Sequence, residues 1–186
     1  MQVNYETGLL NEVEYHFSPN QDERPDCDDI TGIVVHNISL PPGEFGGGWI
    51  DDLFLNQLDP TAHPYFQNIA QLKVSAHVLI RRNGEIIQYV PFHKRAWHAG
   101  VSCWNGRERC NDFTIGIELE GCDDKLFEPA QYQQLASVIK ALCACYPQLN
   151  YTKIVGHQAI APDRKTDPGP FFDWNYLDSI LNNKAG

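Results

Sequence analysis

The chain has 186 residues, 42% of them hydrophobic and 20% charged, enough for one domain with its own core. Its formal net charge is −10. With no basic stripe against that total, a nucleic-acid partner is not expected. The longest apolar runs, such as Ile33 to Val35, fall far short of the ~20 residues that cross a membrane, so no membrane association is expected either.

The first residues, MQVNYETGLLNEVEYHFSPN, show neither a basic start nor a long apolar stretch, and carry Glu6, Glu12 and Glu14. That is not a secretory signal, and the expected location is cytoplasmic. Residues 1–28 read as a polar, irregular N-terminal arm packed on the domain, with the domain itself over 29–186. The β-branched run from Ile30 to Val35 predicts a central strand buried on both faces and ending at His36. SLPPGEFGGG follows as a loop, and Trp49 to Leu58 is expected to be helical, with Ile50, Leu53, Phe54 and Leu58 on one side. AHVLIRRNGEIIQYV predicts a hairpin turning on Asn83-Gly84 as a two-residue loop. DFTIGIELEG reads as a strand, with Ile115, Ile117 and Leu119 on one face and Gly116, Glu118 and Glu120 on the other. Pro129 opens the clearest helix, striped by Tyr132, Leu135, Val138, Ile139 and Leu142. KIVGH is a short strand delivering His157, and DWNYLDSILNN a final helix. Strands interleave with helices, so the expected class is α/β (α+β), a single domain with one mixed sheet flanked by helices.

Six cysteines, Cys27, Cys103, Cys110, Cys122, Cys143 and Cys145, form no C-x-x-C pair, so a zinc ribbon or redox motif is not indicated. They are expected to be reduced and mostly buried as small hydrophobes. A Cys–His hydrolase is the rival chemistry that they leave open.

The segment GHQAIAPDRKTDPGP, residues 156–170, packs one histidine, one lysine and two aspartates among prolines and glycines. His36 and His157 each close a predicted strand, and Asp167 lies in this stiff loop. Two imidazoles and a carboxylate make a catalytic zinc set, with the fourth position left to water. A loose loop could not keep the third ligand in place. Each residue also has an ordinary reading: a hydrogen-bonded core histidine, or an aspartate that starts a turn. By pattern alone His63, His77, His93 and His98 compete as ligands. Lys165, two residues before Asp167, could face an oxyanion, and Glu118, interior to its strand, could serve as a general base. Glu120 shares its parity but sits at the strand end, where water is expected.

The segments VVHN, SLPPGEFGG, SAHVLIRRNGEIIQYVPF, RAWHAG, GRERCNDFTIGIELEG and GHQAIAPDRKTDPGP together resemble the zinc-dependent N-acetylmuramoyl-L-alanine amidase family. Within it they are most similar to the cytosolic branch acting on 1,6-anhydro-muropeptides. The resemblance runs from about residue 30 to 175. It implies a fold shared with peptidoglycan-recognition domains and one zinc per chain on His36, His157 and Asp167. It implies catalytic roles for Glu118 and Lys165, and substrate contacts from Trp97 and Arg109. The implied reaction is hydrolysis of the amide between the lactyl group of 1,6-anhydro-N-acetylmuramic acid and L-alanine, in muropeptide recycling, with the muropeptide as partner and no obligate protein partner. A secreted or phage-type amidase and a non-catalytic peptidoglycan-binding module are the alternatives.

Overall fold

Short β-branched and aliphatic runs, each cut off by glycine, proline or asparagine, build a sheet, and two longer amphipathic runs cover it. A computed structural model describes residues 1–183. The central sheet has six strands: β1 (Glu14–Tyr15), β2 (Gly32–Ile38), β3 (Val78–Ile80), β4 (Ile86–Gln88), β5 (Thr114–Glu120) and β6 (Ile154–Gly156), in the order β6-β2-β5-β3-β4-β1. The β3–β4 pair is antiparallel and the other neighbours are parallel, so the sheet is mixed, as expected. Strand β2 runs to Ile38 rather than stopping at His36, because its parallel pairing with β5 continues through Glu120↔Ile38.

Parity then divides the two faces. Ile33, Val35, Ile115, Ile117 and Leu119 share a core with helix α2 (Pro129–Cys145), in which Leu135, Val138, Ile139 and Leu142 are fully buried. Burying each such side chain contributes ~1.5–3 kcal/mol. Helix α2 starts at a capping box formed by Glu128 and Gln131, which satisfies two of the amide donors left free at a helix start. The final helix, Trp174–Asn182, is capped by Asp173 and adds Leu177 and Leu181 to the same core.

On the opposite face, helix α1 (Trp49–Phe54) packs Ile50, Leu53 and Phe54 beside Leu79, Ile87 and Tyr89. It is shorter than its periodicity predicts. Asn56 turns into the left-handed region at φ 61°, which ends the helix, although Leu58 is still buried. The hairpin also differs in its turn. Arg81 N–H bonds Glu85 O, Gly84 N–H bonds Arg81 O, and Gly84 alone of the turn takes positive φ, at 87°. That is a three-residue loop with a bulged glycine, not the two-residue Asn-Gly turn.

The first 28 residues contain strands as well as loops: Glu14–Tyr15 pairs with β4, and Gln21–Glu23 pairs with Lys94–Ala96. Arg24 is buried and donates to the carbonyls of Phe92, Asn111, Asp112 and Thr114. The cysteines also depart from expectation. All six are free, but Cys110 alone is fully buried, while Cys27 and Cys103 are exposed.

Candidate metal centre and its cleft

The α1 face of the sheet is incompletely covered, and the gap is a cleft of about 610 Å³. His36 on β2 and Glu118 on β5 are register partners in the parallel pair, so they stand side by side on this face, one strand spacing of ~4.8 Å apart. His157 follows β6 as the first residue of the short helix His157–Ile160. Asp167 returns to it through a backbone bond, Gln158 N–H to Asp167 O at 3.0 Å. Asn37, next to His36, ties the strand to the same loop by donating to Pro168 O and to Asp123 Oδ1.

Three atoms converge where these elements meet. His36 Nδ1 is 3.0 Å from His157 Nδ1 and 3.0 Å from Asp167 Oδ2, and His157 Nδ1 is 3.1 Å from that same oxygen. Both imidazoles are buried. Burial pushes the His36 imidazole down to about 4, so it is neutral at physiological pH and has a lone pair to offer. Burial opposes ionisation of Asp167, but the two imidazoles beside it hold its carboxyl well below the usual carboxylate range. Two imidazole nitrogens and one carboxylate oxygen packed this closely could share a cation. Atoms bound tetrahedrally at ~2.0–2.1 Å would stand roughly 3.3 Å apart, close to these separations. His36, His157 and Asp167 are also one of two groups of potential ligand atoms close enough to share an ion among the described residues; the other, Asp26, Cys27 and Asp28, is fully exposed. None of the rival histidines joins the triangle: His77, for example, accepts from Gly116 N–H at 3.0 Å and lies within hydrogen-bond reach of Lys94 O and Arg24.

The family model described as N-acetylmuramoyl-L-alanine amidase matches residues 26–170. The chain belongs to the N-acetylmuramoyl-L-alanine amidase family. It is 67% identical over 168 residues to the 1,6-anhydro-N-acetylmuramyl-L-alanine amidase AmpD of Escherichia coli K12, covering 90% of this chain and 91% of that protein. Among solved structures, a selenomethionine AmpD derivative superposes with a TM-score of 0.93 at 59% identity, over 97% of this chain and 99% of that one. The E. coli amidase AmiD, solved with the substrate anhydro-N-acetylmuramic acid-L-Ala-D-γ-Glu-L-Lys, superposes with a TM-score of 0.60 at 30% identity, over 92% of this chain and 60% of that chain.

The other residues singled out in the sequence fall into two groups. Glu118, Lys165 and Trp97 line the cleft with the three potential ligands. Glu118 Oε2 is buried and meets no hydrogen-bond partner. Burial, reinforced by the Asp167 charge and opposed by Lys165, holds its carboxyl well above the ordinary range. Trp97 lines the cleft, and its indole N–H donates to Asp22 at 3.2 Å. Arg109 stands apart. It is 70% exposed, pairs with Asp112, and borders a neighbouring hollow of about 510 Å³ that meets the cleft at Arg164. The expected exposure of Glu120 is also wrong. Glu120 is buried and accepts from Gly46 N–H at 2.6 Å, Arg82 N–H at 3.1 Å and Arg81 at 3.3 Å. Cleft residues without a sequence signal include Tyr65, Ile69 and Leu72, which form an apolar wall with Leu53 and Phe54.

Proposed function

We propose that the chain hydrolyses the amide between the lactyl group of 1,6-anhydro-N-acetylmuramic acid and L-alanine, in cytosolic muropeptide recycling, with one zinc ion held by His36, His157 and Asp167. The observation that carries the chemistry is the orphaned Glu118 oxygen, buried beside the ligand triangle. A buried carboxylate without a partner is costly to keep. Here it faces the space in which a water and a scissile amide would meet.

Zinc at this triangle supplies a Lewis acid and lowers the pKa of water to ~7. Glu118 takes the proton of the attacking water and returns it to the departing alanine nitrogen, its raised affinity for protons matching the second task. Lys165 lines the same cleft, close enough for its charge to act on Glu118, and its ammonium would stabilise the developing oxyanion. Trp97 and the apolar residues of the same cleft suit the faces of a sugar ring, and water excluded there would strengthen both charged contacts. Arg109, outside the cleft in this structure, can reach only a substrate end that extends past Arg164 into the adjoining hollow.

Turnover of an anhydro-muropeptide with and without a chelator tests the reading, with zinc analysis alongside. The expected outcome is one zinc per chain and loss of turnover on its removal, restored by zinc. Turnover that survives complete removal of the metal would overturn it. The cysteine alternative needs its own control, because Cys122 lines the cleft and an alkylating group there blocks by bulk. Cys122→Ser should keep its turnover.

A further inference from the structure

The rear edges of the two imidazoles are held by consecutive residues of one segment. His157 Nε2 is 3.0 Å from the Ala99 carbonyl oxygen, and His36 Nε2 is 2.9 Å from His98 Nδ1. A carbonyl only accepts, and the Arg164 nitrogen 3.5 Å from His157 Nε2 already gives its two protons to Ala99 O and Val101 O, so His157 carries its proton on Nε2 and turns a bare Nδ1 to the triangle. The His36–His98 contact needs one donor and one acceptor, and the next bonds decide which is which. Thr114 Oγ1 donates its single proton to Cys110 O at 2.6 Å, and lies 3.4 Å from His98 Nε2. Towards His98 that hydroxyl is an acceptor. His98 therefore holds its proton on Nε2, its Nδ1 accepts from His36 Nε2–H, and His36 Nδ1 is left bare as well.

The segment itself is fastened. Asn111 Oδ1 accepts from His98 N–H at 3.1 Å and from Ala99 N–H at 2.7 Å. Opposite it, Gly116 leaves the space that the His98 ring fills: a Cβ there would come within 2.4 Å of His98 Cγ. Arg164 shares the Ala99 carbonyl at 2.6 Å.

We infer that residues 98–99, hung from the Asn111 side chain, fix both histidines in the metal-binding tautomer, with His98 and Asn111 as positioning residues for the zinc. This rests on the reading that His36, His157 and Asp167 hold the ion. The first test is the zinc affinity of the full chain, by competition with a chromophoric chelator, for the wild type, His98→Phe, Asn111→Leu and Asn111→Asp. The second is long-range proton–nitrogen NMR of the zinc-loaded wild type. His98→Phe removes the acceptor and should weaken zinc binding by ~10–100-fold. Asn111→Leu should weaken it in the same direction, and Asn111→Asp, which keeps the acceptor oxygen, should rescue it. The NMR spectra should show His98 protonated on Nε2 and bare on Nδ1. Wild-type affinity in both His98→Phe and Asn111→Leu would overturn the inference, and so would a proton on His98 Nδ1, a result that needs no variant to fold. A wild type that binds no zinc would instead sink the underlying metal reading.

Discussion

Glu118 and Glu120 are two residues apart on one strand and face the same side, yet the fold treats them in opposite ways. Glu120 is closed in by Arg81 and by the amides of Gly46 and Arg82. Through Arg81 it joins Asp51, which also accepts from Tyr89 and lies against His16. This cluster ties the glycine loop, the hairpin and helix α1 together. Glu118 has no such company at its buried oxygen. A carboxylate whose acceptor sites are filled serves architecture. One left unfilled in a cleft, beside a cluster of potential metal ligands, is free for chemistry.

The comparison breaks or holds first on rate. Glu118→Gln keeps the shape and should lower kcat by ~10²–10⁴-fold with zinc still bound, while Glu120→Gln keeps most of its turnover in the same assay. Reversed rates would move the base to Glu120. Next, Lys165→Ala should cost ~10²–10³-fold in kcat, with zinc content unchanged. A raised KM at normal kcat would instead make Lys165 a binding residue. Stability should then show the opposite ranking. Glu120→Gln puts an amide N–H₂ against donors and should lose about 1–3 kcal/mol in denaturant unfolding. Glu118→Gln, in the zinc-free protein at neutral pH, should gain stability. The sign follows from linkage: the folded carboxyl binds its proton more tightly than the unfolded one, so stability is present below the unfolded value of ~4.3 and is lost as pH rises through the folded one. Replacing it removes that loss, and Tm should rise by roughly 2–4 °C per kcal/mol relieved. The smallest effect is on the pH profile. The acid limb of kcat/KM should lie above the ordinary glutamate value of ~4.3 and flatten in Glu118→Gln.

Local patterns carried the main strands after residue 28 and the long helix from Pro129, because each depends on residues within a turn or two of one another. The candidate cluster was partly legible: His36 and His157 lie at the ends of apolar runs and prolines flank Asp167, but four other histidines competed by pattern and the family resemblance singled out the set. Partners distant in sequence were not legible. The bonds that bury Glu120 span up to 74 residues, and nothing in IELEG tells it from Glu118. Strand β2 outran its predicted end because its length is set by the register with β5, not by its own residues. Helix α1 fell short because Asn56 adopts a conformation that periodicity does not encode. His98 appeared only as a rival ligand. Its hydrogen bond to His36 crosses 62 residues, and its room depends on a glycine on another strand.

The spacing of the triangle along the chain has a consequence for folding. His36 and His157 are 121 residues apart, and His36 and Asp167 are 131 apart. Closing loops of that length is entropically costly before any contact compensates. An ion held by this triangle would therefore find that site only after β6 has docked beside β2 and the proline-rich loop has folded back. Once both are in place, an ion bound there would favour the native state: at 100 times its Kd, zinc would add at most about 2.7 kcal/mol, less whatever it gains on the cysteines and histidines of the unfolded chain. Metal supply would thus set how long the finished protein lasts between unfolding events, as well as how fast it works.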